Sequence, residues 1–230
     1  MLTLKELEEG SVLLINKPKN WSSFDVVKKI RSIIKEKYGI KKIKIGHAGT
    51  LDPLAEGLLI LCTGKKTKEI INYQNQKKIY CGEITLGGTT PSYDLETKVS
   101  MEFNTSHITN AMIIEKAKSF IGKIEQRPPI FSALKQDGER LYKRARRGEV
   151  VKIKCREVYV ERFDILEINM PKILFKVTCG KGTYIRSIAH DLGKKLNSGA
   201  YLSALSRVSI GRYNLEQAIE VCDFDKFLNS

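Results

Sequence analysis

Gly46-His47-Ala48-Gly49-Thr50-Leu51-Asp52-Pro53-Leu54-Ala55-Glu56-Gly57-Leu58-Leu59 is the stretch on which the reading of this chain turns. Two glycines and an Asp-Pro pair within its first eight residues mark an irregular loop. Glycine admits backbone conformations closed to other residues, and proline steers the residue before it away from helix. The run 58–62 that follows is continuously apolar, which predicts a buried strand. The loop therefore hangs from a rigid element, and loops so held are a common place for catalytic groups. Asp52 has two readings at this point: a turn residue bonded to nearby amides, or a carboxylate positioned for chemistry. His47 divides in the same way, between a structural hydrogen-bonder and a group that acts on, or stacks against, a ligand.

Outward from the loop, the sequence alternates between strand and helix signals. Residues 12–15 are a short apolar run that stops at Lys17-Pro18, as a strand would. Ser22-Ser23 precedes Phe24, Val27, Ile30, Ile33 and Ile34, an apolar stripe at helical spacing with a serine cap, and Gly39 closes it. The basic run Lys41-Lys42-Ile43-Lys44 leads back into the loop. Beyond it, 65–73 reads as helix, 78–86 as a strand carrying Tyr80, 108–121 as helix, and 150–168 and 172–178 as long antiparallel strands. Residues 184–196 read as a helix with Arg186 near its start, and 202–227 as short helical pieces around a break at Gly211. Strands adjacent in sequence, interspersed with helices out of strict alternation, predict an α+β fold.

Composition narrows the partner. The chain has 230 residues, enough for one large domain or two small ones and for a core that needs no disulfide. Lys and Arg number 40 against 26 Asp and Glu, a net charge of +14, which favours a polyanion such as nucleic acid and disfavours small cationic substrates. No run approaches the roughly 18 apolar residues of a membrane span, and the acidic amphipathic start lacks the features of a secretory signal. Cys62, Cys81, Cys155, Cys179 and Cys222 are odd in number and widely spaced, which suits a reducing cytoplasm. Neither they nor His47, His107 and His190 show metal-ligand spacing, so no metal site is expected.

The excess charge is concentrated. From Lys135 to Arg156 there are nine basic and three acidic residues, preceded by Pro128-Pro129 and interleaved with Tyr142. A charge run of this kind is by default a solvated face. Its density, with Phe131 and Tyr142 among the cations, favours instead a flexible clamp on phosphates.

These residues together resemble the TruB-type tRNA pseudouridine synthases. Residues 46–59 resemble the active-site motif of that family. Leu14-Ile15-Asn16-Lys17-Pro18-Lys19-Asn20-Trp21 is similar to its amino-terminal lysine-proline motif, and Lys78-Ile79-Tyr80 to its tyrosine strand, with Thr90, Tyr93 and Asp94 following. Residues 126–145 resemble its RNA-gripping insertion. Lys181-Gly182-Thr183-Tyr184-Ile185-Arg186 resembles its arginine motif, and Leu202-Ser203-Ala204-Leu205-Ser206-Arg207 its closing leucine-rich one. Ordered motifs spread over roughly residues 12–220 are far more specific than any one of them.

The resemblance implies the pseudouridine synthase fold, a mixed and mainly antiparallel sheet flanked by helices, as a single catalytic domain over 1–230 with the basic insertion at about 126–150. It implies an isomerase that converts the T-loop uridine at position 55 of tRNA to pseudouridine. Asp52 would be the catalytic aspartate, Tyr80 would stack on the target base, and Arg186 would pair with the aspartate. His47 would lie near flipped-out loop nucleotides, since a target inside a folded loop must leave the stack to be reached. Lys135, Tyr142, Lys143, Arg144, Arg146 and Arg147 would bind RNA. Lys17, Pro18, Gly46, Gly49 and Leu205 would support the loop. No cofactor or metal, no protein partner and no membrane are implied; a cytoplasmic monomer acting on the tRNA T-arm is expected. Two alternatives stand beside this: the same chemistry on another RNA, and a catalytically silent RNA-binding or tRNA-folding protein.

Two departures from the family pattern bear on structure. Asn20 stands where the family has glycine, and asparagine is the residue other than glycine most tolerant of a left-handed backbone, so the turn is expected to persist. The sequence ends at Ser230 without the carboxy-terminal PUA-like module of many relatives, so the concentrated charge is expected to take over contacts made there.

Overall fold

The computed structural model describes residues 1–229, and the chain divides into two compact units, residues 1–80 with 205 onward, and 81–204. In chain order, α1 (Leu4–Glu9) begins at a capping box in which Thr3 and Glu6 satisfy each other's amides, and β1 (Val12–Lys17) follows. Helix α2 (Ser23–Tyr38) starts at Ser22, whose hydroxyl accepts the Asp25 N–H while the Asp25 carboxylate reaches back, and ends at Gly39 in the left-handed conformation (φ 62°). Both ends fall where the serine pair and the glycine predict them. Next come β2 (Ile45–His47), β3 (Glu56–Thr63), a 3-10 turn (Gly64–Glu69), α3 (Ile70–Asn75) and β4 (Lys78–Leu86).

The second unit continues with the short pair β5 (Gly88–Thr89) and β6 (Met101–Glu102), then α4 (Asn110–Lys118), β7 (Gly122–Gln126), β8 (Lys135–Gln136), β9 (Glu139–Arg140) and α5 (Leu141–Arg146). It closes with β10 (Arg156–Asn169), β11 (Lys172–Cys179) and α6 (Ile185–Lys195). The chain returns to the first unit within β12 (Ala200–Ile210), followed by β13 (Tyr213–Asn214) and β14 (Ile219–Glu220).

In the first unit the strand order is β14-β1-β3-β12, with β2 on β3 and β13 on β12. The β14–β1 and β12–β3 pairs are parallel; β1–β3, β2–β3 and β12–β13 are antiparallel. This mixed sheet explains the continuous apolar run of β3. Leu59 and Leu61 enter one core layer with Val26, Val27, Ile30 and Ile34 of α2. Leu58, Ile60 and Cys62 enter another with Tyr73 and Ile210. A strand covered on both faces has no polar side to alternate with.

In the second unit β4, β11, β10 and β7 follow in order, with β10 antiparallel to both β11 and β7. Two expectations are corrected. The strand predicted at 150–168 begins only at Arg156, because its partner β7 ends at Gln126 opposite Arg156. Past Gln126 the chain runs into Arg127-Pro128-Pro129, where the prolines have no N–H to extend the ladder. The tail read as short helical pieces opens instead with the eleven-residue strand β12, turned into β13 at Gly211 (φ 54°). Its inward positions include Arg207 and Ser209, so hydrophobic alternation does not reveal it.

Candidate active site

The 46–59 stretch spans β2, the loop and the start of β3, and the loop is anchored along its length by residues from four other places in the sequence. At its entrance the Ala48 N–H donates to the Ile60 carbonyl at 2.8 Å. Gly49 follows at φ 109°, where a side chain would be strained. Leu51 is held by Ser23, the first residue of α2: its N–H donates to Ser23 Oγ at 2.8 Å, and that hydroxyl donates back to the Leu51 carbonyl at 3.1 Å. Pro53, on the other side of Asp52, is held through its carbonyl by the Asn20 N–H at 2.8 Å and by Lys17 Nζ at 3.4 Å. Both neighbours of Asp52 are thus fixed, while Asp52 itself is half-buried and its carbonyl accepts the Ala55 N–H at 3.1 Å.

Lys17 is fully buried beneath the loop, and its ammonium donates to the carbonyls of Pro18 (2.9 Å), Trp21 (2.6 Å) and Pro53. Its three N–H groups therefore tie the lysine-proline segment to the Asp-Pro turn. Burial pulls its pKa down to about 8 against the opposing attraction of Asp52 and Glu56. Asn20 takes the left-handed backbone (φ 68°) expected of it in place of glycine, and this conformation aims its N–H at Pro53.

A residue without a role in the sequence reading completes the support. Arg207 of β12 is buried and spans the loop's two ends, Nη2 donating to the Gly49 carbonyl at 3.1 Å and Nε to the Leu58 carbonyl at 2.8 Å. Arg207 lies opposite Gly57 in the β12–β3 pair, and a Cβ on Gly57 would come within 2.5 Å of the Arg207 carbonyl oxygen. Leu205, expected to support the loop, is half-buried two residues earlier on the same strand. The one signal available for Arg207 is its place in the closing motif, since cations are rarely buried and periodicity gives no warning of it. Among the other support residues, Gly46 packs so that a Cβ would meet Ile70, and His47 pairs opposite Leu61. Burial, followed by the nearby Arg207 charge, lowers the His47 pKa and favours its neutral form.

Tyr80 is the third residue of β4 and nearly buried. The turn beside the start of that strand is pinned by the Gly211 N–H donating to the Lys77 carbonyl at 2.9 Å.

The second unit holds Arg186 and the insertion. Arg186 is the second residue of α6 and buried; Nη1 donates to the Ser92 carbonyl at 3.0 Å and Nη2 to the Phe131 carbonyl at 2.9 Å. Its Nε lies 3.6 Å from a carboxylate oxygen of Asp94, itself buried. The sequence pattern contains Asp94 and Tyr93 without assigning either a role. Tyr93 stacks on His190 with ring centroids 3.7 Å apart, and burial drops the His190 pKa to about 4.

The insertion is joined to the same helix and carries short regular elements of its own. Gln126 is buried and exchanges two bonds with the Tyr184 backbone, at 2.7 and 3.0 Å, and Ser187 Oγ donates to the Arg127 carbonyl. Asp137 and Gly138 both take positive φ, closing a tight hairpin between β8, which carries Lys135, and β9. Helix α5 then presents Tyr142, Lys143, Arg144 and Arg146, with Arg147 at its end. Three of these cations are already occupied. Arg147 forks onto Glu139 at 2.6 and 2.7 Å and also reaches Glu149. Arg144 binds Glu149 at 2.8 Å, and Arg146 binds Glu96 at 3.0 Å and covers the Tyr142 ring. The arginines hold the Glu139 and Glu149 carboxyls below the usual range.

Among the described residues no cluster of three or more His, Cys, Asp or Glu could hold a metal, and no helix is long and apolar enough to cross a membrane. The fold is that of the pseudouridylate synthases: residues 35–185 match the TruB family pseudouridylate synthase, N terminal domain, and the chain belongs to that family. Among particular proteins, tRNA pseudouridine synthase B of Flavobacterium johnsoniae is 52% identical over 228 residues, covering 99% of this chain and all of that one. The protein of the same name from Phocaeicola vulgatus is 49% identical, covering 96% of this chain and 94% of its own. Of solved structures, a chain in a Cbf5-Nop10-Gar1 complex matches with TM-score 0.72 and 28% identity over 97% of this chain. One in an H/ACA RNP bound to a substrate RNA containing 2'-deoxyuridine matches with TM-score 0.68 and 26% identity over 96%. This chain spans 55% and 54% of those two solved chains.

Proposed function

We propose that this protein isomerises uridine to pseudouridine at position 55 in the T-loop of tRNA, acting in the cytoplasm as a monomer without cofactor or metal. The observation that carries the reading is the fixing of Asp52 from both sides, Leu51 by Ser23 and Pro53 by Asn20 and Lys17. A carboxylate on so rigid a loop is preorganised for attack or charge stabilisation at a sugar carbon. In the reaction the N1–C1′ bond breaks, the base turns, and C5 bonds to C1′; the C5 proton leaves to solvent and N1 takes one up. Asp52 serves this reaction as an ionised carboxylate, the form a guanidinium beside it favours, and the resemblance of its motif assigns that part to Arg186. Tyr80 gives the detached base an aromatic face and a phenol. His47, neutral, fills space beside the extruded loop, and the insertion closes on phosphates.

Release of tritium from C5-labelled uridine tests the assignment. A T-arm hairpin is expected to release label stoichiometrically. Release only from a different RNA would remove the T-loop assignment, and release from none would favour a silent RNA-binding protein. Asp52→Asn is expected to lower turnover by at least about a thousandfold, in the range of losing a covalent or charge-stabilising group, with tRNA affinity within a few-fold. An equal loss of affinity and activity would count against a catalytic role.

A further inference from the structure

Arg144, Arg146 and Arg147 of the insertion face carboxylates, whereas a second basic region, in the first unit, is largely open. Residues 19–44 contain nine basic residues against two acidic ones, which is half of the chain's net charge in about a ninth of its length. Helix α2 buries Val26, Val27, Ile30 and Ile34 in the core and turns Lys28, Lys29 and Lys37 outward, followed by exposed Lys41, Lys42 and Lys44. Lys28 makes a 4.0 Å contact with Asp25, whose carboxylate is already taken up by the Ser22 cap. Two shallow grooves of about 600 and 430 Å³ run along the helix. Asn20, Trp21, Asp25, Lys28, Lys29 and Ser32 line the first; Lys28 and Ser32 are shared with the second, which adds Arg31, Lys35, Glu36 and Ile40. Among the residues lining the first is Asn20, whose N–H holds Pro53 beside Asp52. Phe24 stands 52% exposed, with the Lys28 ammonium 5.0 Å from its ring centre.

We propose that this face of α2, with the 41–44 run, is a second RNA-docking surface that binds the tRNA backbone and stacks one unpaired base on Phe24. The inference rests on tRNA being the substrate. Three features fit that partner. Exposed lysines on a rigid helix neutralise phosphates directly, whereas Arg144, Arg146 and Arg147 of the insertion must first exchange a carboxylate for the phosphate. An exposed aromatic among cations is the arrangement by which grooves hold single-stranded nucleotides, with charge for the backbone and a π-face for any base. The first groove also includes Asn20, whose N–H holds Pro53 beside Asp52, so nucleotides bound along α2 lie next to the support of that loop.

Equilibrium binding of full-length tRNA across a salt series is the test, and it needs no turnover. Replacing Lys28, Lys29, Lys41 and Lys42 together by glutamine is expected to weaken binding at least about tenfold at roughly 0.1 M salt. The same change is expected to reduce the slope of log K against log salt by about 3, at roughly 0.7–0.9 per phosphate contact. The matching set of arginine substitutions is expected to keep both affinity and slope. Phe24→Ala is expected to weaken binding roughly tenfold with the slope unchanged, since stacking releases no counterion. An unaltered slope in the glutamine variant overturns the proposal. So does unaltered tRNA binding accompanied by lost binding to phosphatidylserine vesicles, which would give the face to a membrane. Absence of tritium release by the unmodified protein would remove the proposed activity while leaving this binding result to stand or fall by itself.

Discussion

Two buried cations, Lys17 and Arg207, end on backbone carbonyls of the segments around Asp52, and each carries its own prediction. Arg207→Ala leaves the Gly49 and Leu58 carbonyls without their donor, and unsatisfied buried groups cost about 1–3 kcal/mol each, so a loss of roughly 2–5 kcal/mol in stability is expected on chemical unfolding. Arg207→Lys, with a point charge in place of a fork, cannot span both ends, and turnover is expected to fall at least about tenfold with KM little changed. An unchanged kcat in the folded lysine variant would deny Arg207 its positioning role. Lys17 predicts a pH dependence. As a neutral amine it has two N–H groups for three carbonyls, so turnover is expected to decline as pH rises through about 8. Stability moves the other way. The folded pKa of about 8 lies below the ordinary lysine value of 10.5, so between those pH values the unfolded chain holds more of this proton and stability rises with pH. The difference in unfolding free energy between the natural protein and Lys17→Gln, followed from pH 7 to 10.5, isolates that contribution. A flat difference would mean that Lys17 titrates normally.

At the scale of elements, the insertion joins a hairpin to a short helix whose arginines are neutralised by Glu139, Glu149 and Glu96. Exposed pairs of this kind contribute little to stability, so a phosphate can displace the carboxylate at small cost. Glu139→Gln with Glu149→Gln is expected to tighten tRNA binding a few-fold and steepen its salt slope, because arginines freed of partners release counterions only on meeting RNA. Neutralising Lys143, Arg144, Arg146 and Arg147 is expected to do the reverse. If neither change moves the slope, the segment is a solvated face. The density of charge here is plain in the sequence, but its pairing is not. Arg146 and Glu96 are 50 positions apart, and no local rule brings them together.

For the whole molecule, +14 divides chiefly between the insertion and the α2 face, one in each compact unit. If both bind the same tRNA, the slope losses from neutralising them should add, since separated contacts release their counterions independently. A combined variant whose slope falls no further than either single set would mean that one of the two surfaces never meets the RNA.

The sequence by itself determined the elements whose signals lie within a few residues of one another. The Ser22 cap and Gly39 bound α2, the apolar run marks β3, Asn20 tolerates a left-handed turn, and the Gly-rich Asp-Pro loop stands where its motif places it. Capping, turn chemistry and two-sided burial are local requirements, and so they are written locally. Tertiary structure alone decided the rest. It made residues 200–210 a strand despite polar inward positions, and it started β10 only at Arg156 because its neighbour β7 ends there. It also brought Arg207 to carbonyls 149 and 158 positions away. A buried guanidinium is stable only where the folded chain supplies acceptors for it, and those acceptors are backbone atoms, which every residue carries and no sequence pattern marks.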